Sequence, residues 1–229
     1  MAGATASASA SPSASAFENN IATAGHAAPE LLKAIAKAVV PRLGDFTQQN
    51  LANTAWAFAA ADHLAPALFD SHVFVQLCAE CSLAPKDLCQ LHQWQLWREE
   101  RGAAWPPLPP ALAQRCRAAF SSEEGAPSKL QRDVVASLRA LELALREEVR
   151  TPQGYSLDAV VVHGGREVAI EVDGPYHFCG RTPTGATALK RRQLRAAGWA
   201  LLPVPYWEWY DLSSSSAKEE YLRAALKAA

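Results

Sequence analysis

The sequence lacks a strong excess of charge of either sign. Its 22 lysine and arginine residues nearly balance 23 aspartate and glutamate residues, which gives a formal net charge of -1. Nonspecific nucleic-acid binders usually carry a much larger basic excess. The sequence also has no run that approaches the roughly 18 apolar residues of a membrane-spanning helix. We therefore expect no membrane partner, and any contact with nucleic acid has to be local.

Cysteine is scarce, and the five cysteines do not form the dense framework of a small secreted domain. Their odd number and scattered positions favour a reducing compartment or the interior of an organelle. Cys78, Cys81, Cys89 and His92 have ligand types that would suit tetrahedral zinc. However, Cys78 falls on the apolar face of a predicted helix, and Pro85 lies between the two pairs. We therefore disfavour a zinc site.

Arginine is absent from the first sixteen residues, MAGATASASASPSASA, which are mostly alanine and serine. Such a segment cannot bury enough apolar surface to offset its chain entropy, so we predict that residues 1–28 are disordered. Without arginine the segment is a poor transit peptide by composition. An internal linker of a longer chain would look similar, and a truncated start is a further alternative.

Residues 29–102 show the apolar spacing of short amphipathic helices. In the segment FTQQNLANTAWAFAAADHL, Thr47 can cap a helix, and Phe46 with Leu51 fits a hydrophobic staple. Short helices at even intervals suggest a helical repeat. The segment RGAAWPPLPP, with its four prolines, then predicts a boundary, so that residues 103–128 form a linker with a linking helix.

Residues 129–229 show a mixed pattern of helices and strands. We predict one long helix from Lys129 to Val149, with Leu141 and Leu145 facing inward, and then two strands that meet in a tight turn at Gly164-Gly165. A helix, a strand leading into an aromatic loop at PYWEW, and a closing helix follow. This order favours an α/β sandwich.

The segment EVAIEVDGPYHF carries carboxylates in an apolar strand. Equal offsets from the Gly164-Gly165 turn pair Asp158 with Glu171, and one hard cation such as Mg²⁺ could bridge them and aim a water at phosphorus. Other interpretations remain open: the two acids could form a hydrogen-bonded pair, and Asp173 could cap a turn. His177 could likewise be structural.

These residues carry a resemblance to a known family. The segments SLDAVVVHGGREVAIEVDGPYHF and LKRRQLRAAGWALLPVPYWEW resemble the RAP domain of organellar RNA-handling proteins, over residues 129–229. RAP domains resemble restriction-endonuclease-like folds of the PD-(D/E)xK type. The helical segment is similar to octotricopeptide or FASTK-like repeats, whose arrays bind single-stranded RNA. The implied fold class is α/β, a restriction-endonuclease-like domain preceded by short α-helical repeats.

The sequence departs from an active nuclease of that type at one position. The resemblance implies a (D/E)-x-K pattern on the second strand, in which the lysine polarises the attacking water. Here Glu171 is followed by Asp173 at the lysine position. Lys190, Arg191 or Arg192 on the next helix could supply the missing charge.

The resemblance implies a set of catalytic candidates and, if the site is catalytic, Mg²⁺ or Mn²⁺ as cofactor. Asp158 and Glu171 would be the metal ligands. The catalytic candidates are Asp158, Glu171, Asp173, His177 and Lys190.

A second set of candidates would contact RNA. The basic helix would reach phosphates, aromatic residues would stack on bases, and polar residues near a helix start would contact the strand. Alternatively, the basic run is a solvated helix face and the aromatic residues pack as a rim, which we favour for Trp209. The RNA-binding candidates are Lys190, Arg191, Arg192, Arg195, Tyr206, Trp207, Gln48, Gln49 and Asn53.

Three functions follow as expectations. The resemblance implies RNA binding in a chloroplast or mitochondrion, where the RAP domain would grip a single-stranded transcript or rRNA during processing, stabilisation or translation. A metal-dependent endoribonuclease that uses Asp158 and Glu171 is the first alternative. A protein-interaction platform without RNA binding is the second, and protein partners are compatible with all three.

Overall fold

The computed structural model describes residues 29–122 and 125–229. The predicted disorder of residues 1–28 therefore lies outside the described residues. Helices form the N-terminal part of the described chain and a sheet lies in the C-terminal part, so the architecture is mixed α/β. Among the described helices, none has the length and apolar character to cross a membrane.

The helical part consists of helices, as the sequence predicts for residues 29–102. Thr47 caps a helix by accepting a hydrogen bond from the N–H of Asn50 at 3.2 Å. Prolines occupy the first turn of several helices, where a missing N–H has no cost. The helices are α1 (Pro29–Val39), α2 (Gln48–Ala60), α3 (Pro66–Phe69), α4 (His72–Glu80), α5 (Pro85–Glu100) and α6 (Pro110–Ser121), with a 3-10 helix at Val40–Asp45.

Buried aromatic side chains form the core of the helical part. Phe69 lies at its centre, with its ring centroid 5.0 Å from Phe74 and 5.4 Å from Trp94. Trp105 is 5% exposed and its ring lies 5.2 Å from Phe69. Arg98 also donates a hydrogen bond to the carbonyl of Trp105. The first residues of the predicted linker therefore pack into the helical core.

The C-terminal part is built on a four-stranded sheet with the strand order β1-β2-β3-β6. Its β3 and β6 are parallel and the other neighbours are antiparallel. The elements are α7 (Lys129–Ala140), β1 (Leu145–Arg150), β2 (Ser156–His163), β3 (Arg166–Asp173), a 3-10 turn (Pro175–His177), β4 (Phe178–Cys179), β5 (Thr182–Pro183), α8 (Gly185–Ala196), β6 (Ala200–Pro205), α9 (Tyr206–Tyr210) and α10 (Ser215–Ala228).

The hairpin of β2 and β3 has the predicted register. Ala159 pairs with Ile170, and the same register places Asp158 opposite Glu171. Gly164 and Gly165 both have positive φ angles, 58° and 80°, which the tight turn requires and glycine adopts without strain. The two acids are therefore neighbours across the strands.

Two predicted elements are wrong. The helix predicted to reach Val149 ends at Ala140, Glu142 takes a left-handed φ of 56°, and Leu145–Arg150 forms strand β1. Pairing with the outer edge of β2 outweighs the helical spacing of the leucines, since tertiary contacts override local propensity. The predicted aromatic loop is the short helix α9.

The sheet is covered on both faces. On one face, Val168 and Ile170 pack with residues of α7 and α10 and with the buried Trp209. On the other face, Ala169 packs with Leu194 of α8 and with residues of α5 and α6. The face under α8 is the one that also contacts the helical part.

A chain of hydrogen bonds joins the helical part to the sheet. Trp56 donates to Gln93 at 2.9 Å, and Gln93 donates to the Tyr155 hydroxyl at 2.9 Å. That hydroxyl donates to Gln193 at 2.7 Å, and Gln193 donates to the Gln93 carbonyl at 2.8 Å. Since Tyr155 and Gln193 are buried, these bonds fix α8 against α5.

Alanine at Gly154 is expected to destabilise the fold more than alanine at Gly165. Both glycines have positive φ angles, so both variants carry backbone strain of about 1–2 kcal/mol. Only at Gly154 would the added Cβ lie 2.7 Å from Ser121 Oγ and 3.1 Å from Phe120. We expect a further loss of about 1–3 kcal/mol from this overpacking. Denaturant unfolding measures both variants, and equal losses would contradict the close packing.

Candidate functional site

Three carboxylates project toward α8 from the second and third strands. Side chains alternate along a strand, so Glu171 and Asp173 share the face of Ala169, and Asp158 shares it from β2. Glu171 is 4% exposed and Asp173 is 2% exposed. Charges at such depth need partners, because burial removes their hydration.

Glu171 meets a lysine but is only half satisfied. Lys190 Nζ lies 2.5 Å from Glu171 Oε2. Glu171 Oε1 is buried and has no hydrogen-bond partner among the described residues. Asp158 Oδ2 accepts the backbone N–H of Val172 at 2.7 Å. Glu171 is therefore paired with a lysine, and Asp158 accepts a hydrogen bond from a backbone N–H.

Burial shifts the pKa values of Glu171 and Asp158 upward. Burial raises the pKa of Glu171 to about 7, although the charge of Lys190 lowers it, and the nearby Asp158 carboxylate raises it further. Burial also raises the pKa of Asp158, against the N–H of Val172 and the charge of Lys190. A proton or a cation at Glu171 would relieve this repulsion.

Asp173 has partners for both of its oxygens. The guanidinium of Arg191 binds Oδ2, and His177 Nδ1 lies 3.2 Å from Oδ1. Thr187 Oγ1 lies 3.4 Å from the same ring nitrogen. Asp173 therefore connects the turn after β3 to α8, in the position where the nuclease pattern has lysine.

The basic run on α8 divides between two directions. Lys190 and Arg191 face the carboxylates, whereas Arg192 binds Glu100 at 3.0 and 3.2 Å and donates to the carbonyl of Ala59 at 2.6 Å. Arg192 therefore fastens the helical part. Arg195 is exposed. The structure brings together all the predicted catalytic residues, but it directs only part of the predicted basic set toward them.

An aromatic cluster with arginines lies beside the carboxylates. We call it the aromatic–arginine surface, and it comprises Phe178, Arg181, Tyr206, Trp207 and Tyr210. Phe178 and Trp207 pack edge to face at 4.4 Å, and Tyr206 lies 5.2 Å from Trp207. Arg181 lies over the Trp207 ring at 5.7 Å, and Tyr210 is 64% exposed.

The sequence interpretation missed Phe178 and Arg181. Phe178 follows the acidic strand directly in EVDGPYHF, and Arg181 lies in the small hairpin after it, so neither had a motif to mark it. Arg191 lies 5.8 Å from the Phe178 ring centre and thus links this surface to the carboxylates. Trp209 is buried and donates to Asp133 at 2.8 Å, which confirms its predicted packing role.

The candidates in the helical part differ in exposure. Gln48 and Gln49 are exposed at the start of α2. Asn53 is 5% exposed. Its burial does not support the predicted contact with RNA, since the side chain lies within the helical core.

The four candidate zinc ligands fall into two groups: Cys78 and Cys81 pack in or against the helical core, whereas Cys89 and His92 lie near Phe120 under the sheet. Cys78 packs in the helical core, and burial raises the pKa of its thiol. Cys89 packs under the sheet, and His92 Nε2 lies 2.7 Å from the carbonyl of Gln153. Within residues 29–122 and 125–229, no group of three or more His, Cys, Asp or Glu side chains is arranged to hold a metal.

Glutamine at position 171 is expected to change how stability depends on pH. Folding raises the pKa of Glu171 from 4.5 to about 7, so its contribution is fully present below 4.5 and is lost as pH rises through 7. The Glu171→Gln variant has no such loss. Its stability relative to the unmodified protein should therefore improve between about pH 4.5 and pH 7.5.

Urea unfolding at several pH values measures this difference. Glu167→Gln is the control, because Glu167 lies on the same strand but is half exposed, in a surface pair with Arg146. A constant difference between Glu171→Gln and the unmodified protein across this range would contradict the raised pKa.

Comparison with known proteins finds similarity in the C-terminal part of the chain. Residues 170–225 match the model of the RAP domain. A chloroplastic RAP domain-containing protein of rice, Oryza sativa subsp. japonica, is 45% identical over 78 residues. That match covers 33% of this chain and 12% of the rice protein. The carboxylates of β3, helix α8 and the aromatic residues of α9 thus lie within a RAP domain at residues 170–225.

Proposed function

We propose that this chain binds single-stranded RNA in an organelle and that its RAP domain grips the RNA without cutting it. The RAP domain match and the chloroplastic rice relative support this proposal. The bound RNA would be a transcript or rRNA whose processing, stability or translation depends on the complex. A chloroplast is the favoured location, because the relative's name places that protein there.

The aromatic–arginine surface carries the proposal. Aromatic rings of Tyr206 and Trp207 are partly exposed, and Arg181 lies over Trp207. Unpaired bases stack on such rings, and a neighbouring arginine adds attraction for the phosphate backbone. The chain has almost no net charge, so a local surface of this kind is what RNA binding requires of it.

The ion pairs under α8 favour gripping over cutting. Lys190 and Arg191 already neutralise Glu171 and Asp173, and Asp173 stands where a nuclease would have its lysine. The frame would be that of a restriction-endonuclease-like domain. Acids on two adjacent strands, β2 and β3, and a following basic helix support that finer assignment, and the helices before it would be RNA-binding repeats.

Removing the Trp207 ring is expected to weaken RNA binding. Loss of one stacking ring costs about 1–3 kcal/mol per base, so Trp207→Ala should raise the Kd for single-stranded RNA by about tenfold or more. Arg181→Gln should also weaken binding and make its salt dependence shallower. Fluorescence anisotropy with a labelled single-stranded RNA measures both effects.

Arg223→Gln is the matched control. Arg223 is exposed and lies on α10, which covers the opposite face of the sheet. Its removal should leave the Kd unchanged. If the unmodified protein binds no RNA, the proposal fails and a protein-interaction platform is favoured. If RNA binds equally to all variants, the aromatic–arginine surface is not the interface.

One observation favours a second candidate, a metal-dependent endoribonuclease. Glu171 Oε1 is buried without a partner beside Asp158, and both acids have raised pKa values. Two carboxylates with too little positive charge fit Mg²⁺ or Mn²⁺, which take oxygen ligands. When bound, the ion would supply a hydrolytic water. Lys190 would then stabilise charge on the phosphate, and His177, held by Asp173, would move a proton.

Calorimetric titration with Mn²⁺ tests the second candidate directly. Binding that disappears in an Asp158→Asn, Glu171→Gln double variant would support a metal site at these carboxylates. Equal heats for the two proteins would reject it. The double variant keeps the size of both side chains, and a circular dichroism melt checks that it folds.

A further inference from the structure

A cleft of about 360 Å³ lies where the helical part meets the C-terminal part, and we call it the interdomain cleft. Its walls come from α5, α6, the end of β1, the start of β2, the 3-10 turn and the start of α8. Its volume lies at the lower end of the range of ligand pockets, about 300–1,000 Å³. Part of the wall lies outside residues 170–225, so the RAP domain alone does not form it.

The charged side chains that line the interdomain cleft are basic. Arg150, His177 and Lys190 line it, and among the described residues that line it none is acidic. Each of the three has a partner: Lys190 pairs with Glu171, His177 lies 3.2 Å from Asp173, and Arg150 donates to the carbonyl of Gly154 at 3.0 Å. The first turn of α8 also lines the cleft at Ala186 and Thr187, so the positive end of the helix dipole adds to the field. An anionic ligand is therefore favoured.

Aromatic side chains give the cleft a second kind of contact. Tyr176 is 96% exposed in the 3-10 turn. Its ring therefore lacks the stabilisation that burial of a large aromatic side chain provides. Phe120 and Tyr155 are buried and also line the cleft. An exposed ring beside cations and hydroxyl groups suits a ligand that has both a phosphate and a flat base.

We infer that the interdomain cleft holds one unpaired nucleotide of a single-stranded RNA. Its phosphate would face Arg150, His177 and Lys190, and its base would stack on Tyr176. The Ser156 hydroxyl, which donates to Glu148 Oε2 at 3.4 Å in this structure, would turn to the ribose or phosphate. This inference rests on the proposed function and adds a site to it, beyond the aromatic–arginine surface. A free nucleoside monophosphate has the same chemistry, so the experiment has to distinguish the two sources.

Anisotropy with a labelled single-stranded RNA tests the site through Tyr176→Ala and Arg150→Gln. Loss of one stacking ring should raise the Kd by about tenfold. Loss of one phosphate contact should make the slope of log K against log salt shallower by about 0.7 for a single strand. Both side chains are exposed, so circular dichroism melts should show intact folds.

Arg166→Gln is the matched control for charge. Arg166 is exposed at the hairpin between β2 and β3, at the opposite end of β2 from Ser156. The RNA affinity of the Arg166→Gln variant and its slope of log K against log salt should match those of the unmodified protein. Unlabelled adenosine and uridine 5′-monophosphates are added as competitors in a parallel series, and we expect millimolar amounts to displace RNA only weakly.

The outcomes separate this inference from the proposed function. If Trp207→Ala weakens RNA binding but Tyr176→Ala and Arg150→Gln do not, the cleft inference is overturned and the proposed function stands. If the unmodified protein binds no RNA, both fail. If a mononucleotide binds tightly, loses affinity in Tyr176→Ala and does not compete with RNA, the cleft takes free nucleotides and the inference is overturned.

Discussion

Neutralisation of buried carboxylates by α8 is the constraint on which the C-terminal part depends. Glu171 and Asp173 lie under the helix with almost no exposure, and unpaired charges at that depth would be costly. Lys190 and Arg191 supply the counter-charges. The next residues, Arg192 and Gln193, bind the helical part. Consecutive side chains of one helix therefore hold both the carboxylates and the two halves of the chain in place.

This arrangement explains why the proposed RNA contacts lie around the carboxylates and not on them. Arg191 reaches toward Phe178 and so toward the aromatic–arginine surface. Lys190 lines the interdomain cleft while it pairs with Glu171. The acids fix the positions of the cations, and the cations with their aromatic neighbours present the surface.

Local signals in the sequence predicted the central hairpin well. Two glycines with positive φ set the register, and the register alone placed Asp158 opposite Glu171. The cap at Thr47 followed from residue type in the same manner. Strand β1 was missed because Leu141 and Leu145 keep a helical spacing, and only pairing with the edge of β2 makes Leu145–Arg150 a strand. The spacing of apolar residues in the sequence does not show that β2 has a free edge for pairing.

Residues that act across long sequence distances were the hardest to predict. Arg192 belongs to the same basic run as Lys190 and Arg191, yet its partners are Glu100 and Ala59 in the helical part. The interdomain cleft likewise joins α5 and α6 to β1 and α8. Such sites form only when elements that are distant in the sequence pack together, so no sequence motif predicts them.

Incubation of single-stranded RNA with the purified protein in Mg²⁺, Mn²⁺ or EDTA tests the central claim most directly. An Asp158→Ala, Glu171→Ala variant is run alongside, and both binding and strand integrity are measured. Gripping without cutting predicts that the RNA stays bound and intact in every condition. Metal-dependent cuts that vanish in the variant would contradict it and would make the protein a nuclease.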